Sequence, residues 1–150
     1  AATIANRGYF ITPHVVSKIE GGEIDSLYRT KRYTMVERKY YEYIVAGMRR
    51  TVLNGTCRAA NLPGVEVCGK TGTAENKGHD HSAFIGFAPM NSPRIAIAVY
   101  VENGGFGAHF GVPIGSLMIE QYLNGKLSEE SEKKAETFQN KHISYGDDER

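Results

Sequence analysis

The stretch "LPGVEVCGKTGTAENKG", Leu62 to Gly78, decides how the rest of the chain is read. Gly64 to Thr71 matches G-x-x-x-x-G-K-[ST], the pattern of a loop that wraps phosphate. Lys70-Thr71-Gly72-Thr73 can also be a Lys-Thr-Gly box carried on a β-strand beside a cleft. A phosphate loop needs small flexible residues between its glycines and a helix directly after the Thr. Here the intervening residues are Val65, Glu66, Val67 and Cys68, an alternating run with two β-branched members. A glycine and the turn-forming "ENKGHD" follow the Thr, where a helix is required. The strand reading stands and the phosphate-loop reading falls.

A strand in that position gives the residues specific chemical uses. Lys70 brings a positive charge, and the Thr71 hydroxyl brings a hydrogen bond. Gly72 lets a ligand approach the backbone. The N–H of Thr73 can face a developing oxyanion. A strand edge with unpaired backbone groups can also take an extended peptide as an extra strand.

Outward from this stretch, the 150 residues carry 41% apolar and 23% charged residues and a formal net charge of +1. That balance gives no general attraction for nucleic acid, and no basic patch interleaved with aromatics occurs. No apolar run approaches the ~20 residues that span a bilayer. The two cysteines, Cys57 and Cys68, lack C-x-x-C spacing. They read as small apolar packers, although pairing in an oxidising compartment stays open. The opening "AATIANRGYF" reads as the last turns of a helix stopped by Gly8, so the chain is expected to be cut from something longer.

Residues 9–23 read as extended, with a turn at Gly21-Gly22. Thr34 and Glu37 have capping-box spacing, and Tyr40, Tyr41, Ile44, Val45, Met48 and Val52 recur at helical intervals up to Asn54-Gly55. Arg38, Lys39, Arg49 and Arg50 form the solvated face of that helix. "VEVCGKTGTA", "SAFIGFA" and "RIAIAVYVE" then read as three strands with connections too short for parallel crossovers. "ENGGFGAHFG" reads as a flexible connection, with a ligand-facing flap as the alternative. "VPIGSLMIEQYL" is a helix whose Ile114, Leu117, Met118 and Leu123 are expected on the sheet. The expected fold class is α+β, an antiparallel sheet meander covered by helices. Residues 1–124 form the folded part, and residues 125–150 read as a charged, mobile tail.

Three blocks, "AATIANRGYFITPHVV", "GMRRTVLNGTCRAANLPGVEVCGKTGTAEN" and "DHSAFIGFAPMNSPRIAIAVYVENGGFG", resemble in order and spacing the C-terminal part of a class B penicillin-binding transpeptidase domain. The likeness is greatest to the elongation-type penicillin-binding protein 2 subfamily of Bacteroidetes-type bacteria, and it covers Ala1 to about Leu123. It implies a partial penicillin-binding/β-lactamase-like transpeptidase fold and a serine acyl transfer on the peptidoglycan stem peptide. β-Lactams would be mimics of that substrate. Lys70 would then serve the proton network, Thr71 and Thr73 the substrate carboxylate, and the Thr73 N–H the oxyanion hole. Asp80 and His81 would border the cleft. No cofactor is implied. The resemblance also implies a periplasmic site at the inner membrane, with the parent anchored by an N-terminal helix.

The nucleophile that such chemistry needs is not among these residues. The one S-x-x-K, Ser131 to Lys134, follows the K-T-G box and lies in the charged tail. Its lysine reads as solvated and protonated, hence no base. No S-x-N occurs, and Tyr122-Leu123-Asn124 reads as the end of a helix. The chain alone is therefore expected to be inactive and to need the missing N-terminal portion of the domain as its partner. Exposed sheet edges make a homodimer a second expectation. His79-Asp80-His81 reads as a polar turn and not as a metal site. The alternatives are a non-catalytic binding module that keeps the sheet, and a β-lactamase or sensor relative.

Overall fold

The computed structural model describes residues 1–143. Two short strands near the N-terminus, β1 (Tyr9–Phe10) and β2 (Arg32–Tyr33), pair antiparallel with Tyr9 opposite Tyr33. They follow helix α1 (Ala2–Ala5), which ends where Arg7 and Gly8 take φ 55° and 113° and the Gly8 N–H returns to the Thr3 carbonyl. The sequence pattern does not announce this small sheet, because two-residue strands carry no periodicity.

The main sheet has three antiparallel strands in the order β3-β4-β5: β3 (Cys68–Ala74), β4 (His81–Ala88) and β5 (Ile95–Val101). Gly69 lies opposite Gly86, Thr71 opposite Phe84, and Phe84 opposite Val99. This is the meander expected from the short connections. β3 starts later than the alternation of residues 65–67 suggests. The Val67 N–H bonds to the Val65 carbonyl two residues back, which bends the backbone out of ladder geometry.

Side chains alternate across the sheet, and each face has its own core. On one face, Cys68 and Phe87 pack with Ala5, Val45 and Met48. On the other, Phe84, Ala88 and Ile97 pack with Val112 and Ile119, together with Val52, Cys57 and Val67. Helix α2 (Arg38–Asn54) buries Tyr41, Val45, Met48 and Val52, a stripe at helical spacing, while Tyr40 and Ile44 stay exposed. The expected Thr34 cap is not formed. Glu37 occupies the cap position, and Thr34 instead bonds the Tyr41 hydroxyl at 2.7 Å while its N–H holds the Gly8 carbonyl.

Helix α3 (Gly111–Asn124) closes the other face; of the residues expected on the sheet Leu123 packs against the core, but the buried stripe is otherwise a different one. Gly111, Val112, Gly115, Ser116 and Ile119 are buried, and Met118 is exposed. The reason is Phe84. Its ring is surrounded by four glycines: added Cβ atoms at Gly69, Gly86 and Gly115 would each fall 2.5–2.6 Å from it, and one at Gly111 would lie 3.0 Å from the Phe84 Cβ. Glycine on the helix lets α3 approach until the ring fills the space between helix and sheet.

The charge-rich segment after Gly125 also departs from expectation. Residues 129–139 form helix α4 (Glu129–Gln139), capped by the Ser128 hydroxyl and packed on α3. Ser131 is buried there and donates to the buried Glu120 carboxylate, which also accepts from the Ser128 N–H at 3.0 Å. Composition missed this helix because a buried polar clasp and a single aromatic contact, Phe138 on Phe110, join it to the fold in place of an apolar stripe. Residues 144–150, the rest of the expected tail, lie outside the described residues.

Candidate functional site

The Lys-Thr-Gly-Thr run lies on β3, which among the described residues is an edge strand: β4 pairs with one side of it only. The last turns of α2 fasten the first half of the open side. The Arg49 guanidinium donates to the Val67 carbonyl at 2.9 Å, and the Thr51 hydroxyl lies 2.5 Å from the Gly69 carbonyl. Arg49 therefore does structural work at the edge, where the sequence pattern had placed it on a solvated face.

Those two bonds also fix which backbone groups point outward. In an antiparallel ladder alternate residues turn their N–H and C=O toward the partner and then away. With Gly69 turned away from β4, Thr71 and Thr73 are turned away as well. The Thr71 carbonyl accepts from Lys70 Nζ at 2.7 Å on this side. The Thr73 N–H is thus on the open edge, the orientation an oxyanion donor requires. Alternation puts Thr71 and Thr73 on the α3 face of the sheet and Lys70 on the α2 face. Lys70 and Thr73 are exposed, and Thr71 and Gly72 are half-buried. The Thr71 hydroxyl meets that of Thr56 at 2.8 Å. At Gly72 a Cβ would press on that of Ala83 at 3.3 Å, so the site favours glycine.

Asp80 and His81, expected to border a cleft, anchor the loop over residues 102–110. The Asp80 carbonyl accepts from the Gly105 N–H at 2.8 Å, and His81 Nδ1 accepts from the Asn103 N–H at 3.0 Å. The next residue, Ser82, is fully buried; its hydroxyl donates to the Phe106 carbonyl and accepts from the Gly111 N–H, each at 3.0 Å. A Cβ at Gly107 would lie 2.4 Å from the Ala83 carbonyl oxygen and 2.7 Å from that of Gly72. The glycine-rich loop is therefore seated on β3 and β4 beside Thr71; it is not the loose connection its composition suggests. Thr51, Thr56, Ser82 and Gly107 were not found from the sequence. Their partners are distant in the chain, and no local spacing reports them.

The other candidates separate from this edge. The Ser131 hydroxyl is given to Glu120, and Lys134 pairs with Glu130 at 2.7 Å. Burial opposes ionisation of Glu120. Its bonds from Ser131 and Ser128, with the charge of Lys134, nevertheless hold the carboxyl below its ordinary value. Cys57 and Cys68 are both buried free thiols, and burial pushes Cys68 up to about 11 against the opposing charges of Arg49 and Arg7. Among the described residues no group of three or more His, Cys, Asp or Glu side chains could hold a metal ion. Two hollows of about 480 and 530 Å³ lie around Pro13–Tyr28 and around Arg7, Lys31 and Arg38, and neither touches β3.

The edge strand bearing Lys-Thr-Gly-Thr thus belongs to a sheet covered by α2 on one face and α3 on the other. Residues 1–118 match the family described as the penicillin binding protein transpeptidase domain, and the chain belongs to that family. It is 35% identical over 141 residues to the peptidoglycan D,D-transpeptidase PbpA of Mycobacterium tuberculosis, an alignment covering 84% of this chain and 28% of that protein. Among solved structures it superposes on Pseudomonas aeruginosa PBP2 in complex with WCK 5153 with a TM-score of 0.70 and 33% identity, covering 85% of this chain and 29% of that one. The ceftriaxone acyl-enzyme complex of penicillin-binding protein A from M. tuberculosis gives 0.69 and 30%, covering 81% and 30%. The chain thus spans less than a third of each of these relatives.

Proposed function

We propose that this chain is the part of a peptidoglycan D,D-transpeptidase that binds the substrate's carboxylate and its developing oxyanion. The observation that carries the proposal is the open edge of β3, where the Thr73 N–H turns outward and the exposed ammonium of Lys70 reaches the Thr71 carbonyl, with the Thr71 and Thr73 side chains on the adjoining α3 face. In the reaction, a serine hydroxyl supplied by the preceding portion of the domain attacks the penultimate carbonyl of a D-Ala-D-Ala stem peptide. The Thr73 N–H stabilises the oxyanion, and in enzymes where it has been tested the loss of one such donor costs ~2.7–4 kcal/mol. The terminal D-Ala leaves. The amine of a second strand then attacks the acyl-enzyme, which forms the cross-link and frees the serine. The Thr71 and Thr73 hydroxyls hold the terminal carboxylate, and Lys70 supplies charge and a route for the proton. β-Lactams acylate the same serine.

The surface supports the need for that preceding portion. Tyr40, Tyr43, Ile44 and Leu53 on α2 are exposed, and the outer edge of β5 is unpaired among the described residues. Apolar helix faces and strand edges of this kind are what a missing half of a domain covers. No helix among the described residues is long and apolar enough to cross a membrane. The reading assigns the activity to the periplasmic face of the inner membrane, through an anchor in the preceding portion.

Covalent labelling with a fluorescent penicillin, read on a denaturing gel, tests this. The chain alone is expected to stay unlabelled, and a mixture with the preceding portion is expected to carry label on the partner. A stable adduct on this chain alone overturns the assignment and points first to Ser131. A mixture that binds but never labels favours a non-catalytic module.

A further inference from the structure

The hydroxyl pair beside the Lys-Thr-Gly-Thr run involves a residue outside it. Thr56 comes from the chain leaving α2, 15 positions before Thr71, and the two Oγ1 atoms are 2.8 Å apart. Thr56 is held firmly in place. The N–H groups of its neighbours Gly55 and Cys57 both donate to the Thr51 carbonyl at 3.0 Å. A Cβ at Gly55 would fall 2.8 Å from the Thr51 Cα, and Cys57 is fully buried. The Thr51 hydroxyl in turn holds the Gly69 carbonyl. The segment carrying Thr56 is thereby fixed to the helix on one side and to β3 on the other.

A threonine hydroxyl has one proton and two lone pairs. If Thr71 spends its proton on a ligand carboxylate, the hydroxyl 2.8 Å away must be the donor in their shared bond. We propose that Thr56 is a positioning residue for substrate-carboxylate recognition: its O–H donates to Thr71 Oγ1 and turns the Thr71 proton toward the ligand. The inference rests on the reading of Thr71 as a carboxylate ligand. The aligned hydroxyl pair is worth about one ordinary hydrogen bond, so its loss slows acylation about 3- to 10-fold.

The test uses the full-length transpeptidase that carries this segment. Acylation rates are measured with a penicillin bearing its free ring carboxylate and with the methyl ester of the same compound. Wild type is expected to favour the acid, and Thr71→Val to weaken that preference. Thr56→Val is expected to slow the acid about 3- to 10-fold and leave the ester unchanged. Thr56→Ser, which keeps the hydroxyl, is expected to restore the acid rate, and the double Val variant to be no slower than Thr71→Val alone. An unchanged acid rate in Thr56→Val overturns the proposal. Equal slowing of acid and ester, or no rescue by Ser, also overturns it, because either result marks a purely structural role. If Thr71→Val leaves the acid preference intact, the reading of Thr71 fails and takes this inference with it. If wild type takes no label from either compound, the transpeptidase reading itself has failed.

Discussion

Replacing Gly115 by Ala places a methyl group 2.5 and 2.6 Å from two carbons of the Phe84 ring. In an open helical position the same change is favourable by ~1 kcal/mol, because alanine restricts the unfolded chain and is the better helix former. Gly47, in the middle of α2, is such a position: no atom lies within 4 Å of its added Cβ. Gly47→Ala is therefore expected to stabilise by ~1 kcal/mol. At Gly115 the same gain is offset by overpacking of roughly 1–3 kcal/mol. The upper part of that range applies, because the ring is hemmed in on its sheet side by Gly69 and Gly86. The propensity term is common to both variants, so the gap between them isolates the packing cost at about 2–3 kcal/mol. Urea unfolding followed by tyrosine fluorescence measures it; the chain has nine Tyr and no Trp. A thermal melt should separate the two midpoints by roughly 4–12 °C. Equal stability of the two variants would refute the rigid packing of Phe84. So would an unchanged gap in a Phe84→Leu background, where the clash is relieved.

Three further outcomes follow from named contacts. Glu120 has a depressed folded-state pKa, so the stability it contributes is present above the ordinary value of 4.5 and is lost as pH falls below it. Acid titration below 4.5 should loosen α4 from α3, and Glu120→Gln should flatten that pH dependence. Cys68 has a raised pKa of about 11, so its contribution is intact below 9 and fades as pH rises from there through 11. Iodoacetamide at pH 8 should modify Cys57 and Cys68 only in urea; rapid labelling of the native chain, read by mass spectrometry, would contradict their burial. Ser82→Ala leaves the Gly111 N–H without its partner, while the Phe106 carbonyl keeps the His109 N–H, and should cost about 1–3 kcal/mol. Hydrogen exchange at Gly111 should accelerate well before exchange in β4 does.

The sheet could be read from the sequence because β-branched and aromatic residues alternate between turns, and short turns leave antiparallel neighbours as the only economical choice. The Lys-Thr-Gly-Thr strand was found for the same reason: what precedes and follows it excludes a phosphate loop. What escaped depended on tertiary partners. Thr34 has capping-box spacing, but the Tyr41 hydroxyl claims its side chain. The inward face of α3 is set by Gly111 and Gly115 accommodating Phe84, so counting apolar residues chose the wrong stripe. Helix α4 is joined through a serine-glutamate clasp that no hydropathy pattern reports. Around the site, Thr51, Thr56 and Ser82 act through bonds to residues 15 to 29 positions away.

The bonds from Arg49 and Thr51 to Val67 and Gly69 set a length. They occupy the outward carbonyls of β3 up to Gly69, and the strand ends at Ala74. Beyond Gly69, Thr71 and Thr73 turn their backbone outward, about 7 Å apart at strand rise, and the Thr71 carbonyl already holds Lys70 Nζ. An extended chain laid on this edge finds footing for two or three residues and no more. The edge is thus a short ruler that suits the end of a small peptide. At this edge a whole strand from another molecule finds too little footing, and among the described residues it is the outer edge of β5 that stays open to a second copy.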